Sequence, residues 1–287
     1  MMILGLLAIL PFGLLFAAEN NPSWEILTQV KNQHPYNLAG FLNDTYGITV
    51  GYAGECHYTK DGGKTWPKAE NTSYCRFGLE ILDENNAWHS GNAAQIGVSN
   101  DGGKSWRLVQ NFGGGEPEHC RYISFINSTT GWMASLTKLG VTVDGGKSWT
   151  SVKLPKNTTQ ISAIAAVSQD AVYLLDTGSN GGTLYFTDNG GQKWSTFTLG
   201  GKWDFYPVSR TPVPAAMRFF DKDHGIIIAN CKGGQLWELD TNNGGKDWTK
   251  AAISGPKPTG SLFLSPDGKF LTVNGVDETI TVLHKKN

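Results

Sequence analysis

Asp101 stands in the stretch VSNDGGKSW, residues 98–106, with two glycines and Lys104 crowded into one turn. A carboxylate beside an ammonium on a glycine-rich turn could do chemistry. The acid could exchange a proton, the lysine could steady an anion, and the glycines would let a substrate approach the backbone. The same residues could instead close the turn, the short acidic side chain accepting backbone N–H groups. Repetition along the chain decides between the two.

Five octapeptides align without gaps: TKDGGKTW (59–66), SNDGGKSW (99–106), TVDGGKSW (142–149), TDNGGQKW (187–194) and TNNGGKDW (241–248). Their tryptophans lie 40, 43, 45 and 54 residues apart, a spacing that fits one supersecondary unit per repeat. A hydroxyl residue opens each octapeptide and a tryptophan closes it. A catalytic carboxylate is not copied five times around one molecule, twice with Asn in its place. Asp61, Asp101, Asp144, Asn189 and Asn243 are therefore read as turn-closing acceptors. Trp66, Trp106, Trp149, Trp194 and Trp248 are read as rings packed over the hairpin, each burying on the order of 200 Å².

This pattern resembles the Asp-box, the BNR-like repeat of sialidases, sortilin-type receptors, xyloglucanases and the photosystem II assembly/stability factors. The stretches DENNAWHSGNAAQIGVSNDGGKSW and NSTTGWMASLTKLGVTVDGGKSW are most similar to the assembly-factor units. The resemblance covers roughly residues 40–250. It implies an all-β propeller with four antiparallel strands per blade and the box at the hairpin between the third and outermost strands.

The rest of the chain agrees with a β architecture. Glycine, at 36 of 287 residues, is nearly twice its usual share, and apolar runs are short. Blade two serves as the template: RFGLEIL (76–82), AWHSG (87–91), QIGVSN (95–100) and WRLVQ (106–110). In the third strands Ile96 and Val98, Leu139 and Val141, and Leu184 and Phe186 show a period of two. Units fall at about 40–70, 76–110, 121–153, 161–199 and 216–252. The tail, residues 261–283, offers three more strands but no box. SWEIL (23–27) looks like an outer strand whose box is missing, so pairing it with the tail closes the ring. Six blades follow; a merged pair of units within 195–248 would make seven, the number in the assembly-factor family.

Residues 1–18, MMILGLLAILPFGLLFAA, read as a signal peptide cut near Ala18, leaving one domain over 19–287 in a secreted, periplasmic or organelle-lumenal compartment. A net charge of −1 gives no whole-molecule field for nucleic acid or anionic lipid. Four Asn-x-Ser/Thr sequons occur, at Asn43, Asn71, Asn127 and Asn157.

The remaining unusual residues map to the end opposite the boxes, where one blade connects to the next. Cys56, Cys75, Cys120 and Cys231 all fall there, with Cys56 and Cys75 the first candidate disulfide. A zinc site from Cys56, His57, Cys75, His119 and Cys120 lacks any Cys-x-x-Cys spacing, so no metal is expected. Arg76 and Arg121 repeat before neighbouring inner strands, each after a Cys and before an aromatic residue, and Arg210 and Arg218 flank another. The longest connection, 199–215, adds Trp203, Phe205 and Tyr206. Arg76, Arg121, Trp203, Tyr206 and Arg210 are the expected partner-binding surface, since aromatics and arginines anchor interfaces.

No assembled catalytic set is visible and no cofactor is implied. The leading reading is a non-enzymatic recognition or assembly propeller, a monomer binding a protein such as a membrane-complex subunit. The alternatives are a carbohydrate-binding propeller with a glycan partner, and a sialidase-like glycosidase. The second would need an arginine triad with a Tyr/Glu pair, and no Arg-Ile-Pro tripeptide opens the first blade.

Overall fold

Six antiparallel sheets account for the repeats. The computed structural model describes residues 23–31, 38–51, 54–72, 77–91, 95–109, 120–135, 138–178, 182–200, 203, 205, 215–231, 233–255, 261–275 and 279–286. Blade one holds β2 (Leu38–Phe41), β3 (Gly47–Val50) and β4 (Cys56–Thr59). Blade two holds β5 (Gly78–Ile81), β6 (Ala87–Ser90), β7 (Ile96–Ser99) and β8 (Arg107–Val109). Blade three runs through β9 (Tyr122–Phe125), β10 (Gly131–Ala134), β11 (Leu139–Thr142) and β12 (Thr150–Val152). Blade four runs through β13 (Ile161–Ala166), β14 (Val172–Asp176), β15 (Thr183–Thr187) and β16 (Ser195–Thr198). Blade five has β17 (Ala215–Phe219), β18 (Gly225–Cys231), β19 (Gln235–Thr241) and β20 (Thr249–Ile253). Blade six has β21 (Leu262–Leu264), β22 (Phe270–Asn274) and β23 (Thr279–Lys285), with β1 (Trp24–Lys31) added outermost. Each first strand packs on the next, β2 on β5, β5 on β9, β9 on β13, β13 on β17, β17 on β21, and β21 back on β2.

Blade one departs from the expected four strands. Its outer segment makes only ladder fragments, Tyr58 N–H to Pro67 O at 3.2 Å and Ala69 N–H to Cys56 O at 2.8 Å. The segment then leaves its own sheet, with Glu70 N–H donating to Lys104 O at 2.8 Å and Trp106 N–H to Glu70 O at 3.0 Å, in the box of blade two. Pro67, which has no N–H, suits such an edge. The period of two expected in the third strands is not matched by alternating burial: β7 is buried at every position, and β11 and β15 nearly so, as are β6, β9 and β10. Each blade is covered on both faces by its neighbours, so solvent patterning survives only in outer strands such as β8 and β20.

The boxes share one hydrogen-bond scheme. In blade two Ser99 Oγ donates to Asp101 Oδ1 at 2.8 Å, Gly103 N–H donates to Ser99 Oγ at 2.8 Å, and Ser105 gives its N–H and hydroxyl to Asp101 at 3.0 and 2.6 Å. Blades one and three repeat it around Asp61 and Asp144, and Asn189 and Asn243 accept the corresponding backbone bonds in blades four and five. The first box glycine donates to the first–second hairpin of its own blade, as Gly102 N–H does to Asn85 O at 3.0 Å. The second lies at positive φ against the preceding blade: a Cβ on Gly191 would come within 2.3 Å of Val152 Cγ1, and one on Gly245 within 2.5 Å of Leu184 Cδ2. Glycine is thus required by conformation and by contact.

A second repeat lies in the first–second hairpins. Asn43, Asp83, Asn127 and Asp221 each accept backbone N–H groups from the residues two and three ahead. With Asn71 at φ 55° and Asn157 at φ 68°, all four sequon asparagines occupy turn positions that favour Asn on backbone grounds.

The box tryptophans wedge between blades. Trp106 packs with Ile48 and Val50 of blade one, Trp149 with Val98 and Val109 of blade two, Trp194 with Trp132 and Leu139 of blade three, and Trp248 with Tyr173 and Leu184 of blade four. Trp66 packs on Val30, Ile280 and Val282 of blade six. Aromatic residues on second strands reach the other way: Trp88 Nε1–H donates to Gly145 O at 3.3 Å, Trp132 Nε1–H to Ser168 O at 2.8 Å, and Tyr173 Oη–H to Lys222 O at 2.7 Å. Blade six has no box, and Trp24 takes the wedge position instead. It is buried among Ile226, Ile228, Leu236 and Ile253 of blade five, with its indole N–H held by Glu238. Lys285 completes the latch, 2.8 Å from Glu238 Oε1 and 3.1 Å from Asp240 Oδ2.

His89 resembles a catalytic histidine only by type. Its ring is fully buried in blade two against Trp106 and over Gly97, where a Cβ would lie 2.1 Å from Nε2. Neither ring nitrogen has a hydrogen-bond partner, and burial depresses its pKa to about 3. It stays neutral at physiological pH and fills space.

Two outcomes follow for stability. Trp24→Ala should cost about 3–5 kcal/mol in urea unfolding, as for a buried aromatic, while exposed Glu25→Ala stays within about 0.5 kcal/mol. Equal small effects would show that β1 does not lock the ring. His89 is neutral when folded but protonates near its ordinary pKa when unfolded. Its contribution is therefore complete above pH about 6.5 and declines as pH falls toward 3, at about 1.4 kcal/mol per unit. Urea titrations from pH 7 to 4 should show a shallower loss in His89→Phe; an identical slope in the variant would refute this.

Candidate functional site

The end opposite the boxes carries the blade-to-blade connections and the second–third hairpins. Of the expected partner-binding residues, Arg121 and Trp203 are described, whereas Arg76, Tyr206 and Arg210 lie outside the described residues. The Cys56–Cys75 pair also falls outside them, through Cys75. Cys56 opens β4, Cys120 precedes β9 and Cys231 ends β18, so these three share that end of the molecule, and all are buried. The Cys120 thiol lies 3.8 Å from Tyr122 O.

A cavity of about 80 Å³ opens along the ring axis, lined by the first strands of all six blades. Arg121 lines it immediately before β9, its guanidinium carbon 5.3 Å from the centre of the Phe77 ring. Arg121 Nε is buried and has no hydrogen-bond partner. Deeper in, Arg218 of β17 reaches across the axis to Glu80 of β5: Nη1 donates to Oε1 at 2.8 Å, and Nε donates to Leu264 O at 3.0 Å. The two side chains come from opposite blades, two and five, near the ends of strands that lead toward the box face. Burial pushes the Glu80 carboxyl above the usual range, while the charge and hydrogen bond of Arg218 pull it back. The pair is nearly shielded from water, with side-chain exposures of 11% and 2%.

Beneath the connections lies a row of polar side chains at the ends of the second strands: Ser90, Asp176, Asn230 and Asn274, all buried. Asp176 holds the blade three-to-four connection through Thr159 N–H at 2.5 Å, Thr159 Oγ1–H at 2.9 Å and Gln160 N–H at 3.1 Å. Asn274 Nδ2 donates to Ala39 O at 3.2 Å and Ser261 O at 3.0 Å, joining blades six and one. Ser90 Oγ and both polar atoms of Asn230 lack partners.

Trp203 sits away from the axis. Its indole donates to Gly200 O at 2.9 Å, Lys250 Nζ of β20 stands 4.7 Å from the ring centre, and Trp237 of β19 meets it edge-on at 6.1 Å. The structure therefore separates the two described residues of the expected surface: Arg121 on the axis, Trp203 over the third and outer strands of blade five. Phe205 bridges to Cys231 and is buried in the blade four–five core.

The box carboxylates offer no acid–base function. Hydrogen bonds from Thr65 and Thr59 hold Asp61 at about 2. Asp101 and Asp144 also sit below the usual range, since bonds from Ser105 and Ser99, and from Ser148 and Thr142, outweigh partial burial. Glu80, Asp176 and Glu238 went unnoticed in the sequence reading. The signal for Glu80 was there: a lone acid inside the apolar run RFGLEIL.

Residues 71–200 match the model of the photosystem II assembly factor YCF48 family. No curated protein matches the chain. A solved YCF48 bound to a D1 peptide superposes with a TM-score of 0.57 at 16% identity, covering 93% of this chain and 96% of that one. Virginiamycin B lyase from Staphylococcus aureus gives 0.56 at 13% identity, over 91% and 99%, and the WD40 propeller domain of Doa1 gives 0.57 at 10% identity, over 92% and 98%. At such identities the superpositions show the fold alone. The chain is a six-bladed β-propeller that resembles the YCF48 photosystem II assembly factors, with the family match running from the end of blade one through blade four.

Proposed function

We propose that this propeller is a non-enzymatic recognition or assembly factor, exported behind residues 1–18, that holds a protein partner on the face opposite the boxes. The observation carrying this reading is the match of residues 71–200 to the assembly-factor model. That one solved YCF48 is bound to a D1 peptide supports a protein as the ligand class. Arg121, with an uncommitted buried donor at the axial mouth, is the described anchor of that face. Arg76, Tyr206 and Arg210 belong to the connections flanking the same inner strands, and Trp203 extends the surface toward blade five. A half-buried arginine whose Nε–H has no partner can donate to a partner carboxylate or carbonyl at little further ordering cost.

Crosslinked pull-down from the host's own membranes, with the chain lacking residues 1–18 as bait, tests the assignment. Arg76→Gln, Arg121→Gln and Arg210→Gln should each weaken capture by about 1 kcal/mol or more, roughly fivefold, without lowering the unfolding midpoint. Lys104→Gln, in a box turn, should leave capture unchanged. Loss of capture through Lys104 with the arginines silent would place the functional face at the other end.

A further inference from the structure

The ring closes on a cluster whose charges do not balance. Glu238 and Asp240 stand two residues apart on β19, so both side chains leave the same face of blade five. Lys285 of β23 reaches both, 2.8 Å from Glu238 Oε1 and 3.1 Å from Asp240 Oδ2. The other Glu238 oxygen takes the Trp24 indole N–H, and the two carboxyl groups are hydrogen-bonded to each other. An ionised carboxylate only accepts, so a bond between two of them needs a proton on one. The charge count calls for the same proton. Two acids face one ammonium, and Glu238 is nearly shielded from water, where a second negative charge beside it is costly.

The neighbouring charges are committed elsewhere or solvated. In β18 and β20 the residues paired with Glu238 and Asp240 are Ile228, Ile226, Ala251 and Thr249. Lys250 of β20 stands over the Trp203 ring. On β23, His284 packs on Phe270, and Lys286 meets Glu25 of β1 at 3.7 Å. Lys31 closes the far end of β1. On the turn into β22, Lys269 lies across from Lys285 and is exposed, while Asp267 accepts from Ser265 and the Lys269 N–H. Asp221 and Asp223, on the first–second hairpin of blade five, lie toward Tyr173 of blade four.

We propose that ring closure is proton-linked: Glu238 and Asp240 share a proton beside Lys285 while Trp24 is seated, and release it when β1 leaves. Burial and the bond to Asp240 push the Glu238 carboxyl above its usual range, against the pull of Lys285 and Trp24. Burial also works against the Lys285 ammonium, yet the bonds and charges of Glu238 and Asp240 hold its pKa above the usual range, so the lysine stays charged. Closing therefore takes up a proton. Its contribution is complete below the ordinary glutamate value of about 4.3 and is lost as pH rises through the raised one, each unit between them being worth about tenfold in the closing equilibrium. His89 acts with the opposite sign and in another blade.

Amide hydrogen exchange, resolved strand by strand by mass spectrometry, reads the closure locally. After correction for the intrinsic pH dependence of exchange, protection of β1 relative to β15 of blade four should fall about threefold or more between about pH 5 and about pH 8. Glu238→Gln keeps an acceptor for the indole and cannot titrate, so its ratio should stay flat. Asp240→Asn, at a half-exposed position, leaves Glu238 matched one to one by Lys285 and should reduce the fall. If Glu238→Gln disturbs the fold, lowered protection of β15 reports it, and Asp240→Asn then carries the test. A wild-type ratio that stays flat or rises with pH would overturn the inference, as would a fall that persists undiminished in both variants. No partner enters this readout, so the inference and the partner assignment can fail separately.

Discussion

Every blade of this ring is buried on both faces, so no sheet is stable until its neighbours are in place. The tryptophan wedge is the contact on which the rest depends. Each box turn aims an indole back into the preceding blade, and the second box glycine lets the backbone come close enough for that contact. The Asp or Asn two residues after the opening hydroxyl fixes the turn that aims it. Five wedges leave one gap, and Trp24 fills it from the far end of the chain, pinned by Glu238 and Lys285. The β1–β23 ladder alone would add an edge strand; the buried indole makes that addition a closure.

Once wedges and first–second hairpins occupy one end, that end is committed to structure. Its carboxylates are held below their usual range by turn hydrogen bonds, and its glycine N–H groups are spent on neighbouring hairpins. The other end carries the axial cavity and a guanidinium with an open donor, while buried polar groups without partners occur at both ends, Asn230 at this one and the Trp66 and Trp106 indole N–H groups at the boxes. The separation of a fixed end from one with an open donor underlies the functional assignment.

Much of the fold was legible because its determinants are local. The box spacing marked the blades, and the orphan SWEIL predicted the closing strand, though not that its Trp24 would take the place of a box tryptophan. The alternation read in the third strands does not translate into alternating burial, because a sandwiched strand such as β7 has no solvent face to pattern. The candidate site was legible only in part. Arg121 could be placed at the axial mouth by its position before β9. Its distance from Trp203 could not, since Trp203 is placed by Lys250 and Trp237 of blade five, partners more than 30 residues away. The Glu80–Arg218 pair joins residues 138 apart in the chain, and Trp24–Glu238 joins residues 214 apart. No local pattern encodes such partners; only the cyclic order of blades brings them together. The first–second hairpin asparagines were seen, but as sequons, and their turn role was hidden behind that motif.

The central claim, that the boxes hold the ring and the opposite face does the binding, is tested most directly at Asp101. Its carboxylate accepts bonds from Ser99 Oγ and from the N–H and hydroxyl of Ser105, and nothing outside the turn is seen to use it. Asp101→Ala, followed in parallel by urea unfolding and by crosslinked partner capture, should lower stability by about 1–2 kcal/mol and leave capture of the still-folded protein intact. An unchanged unfolding midpoint with capture abolished would contradict the account, for it would make the repeated acid a binding residue after all.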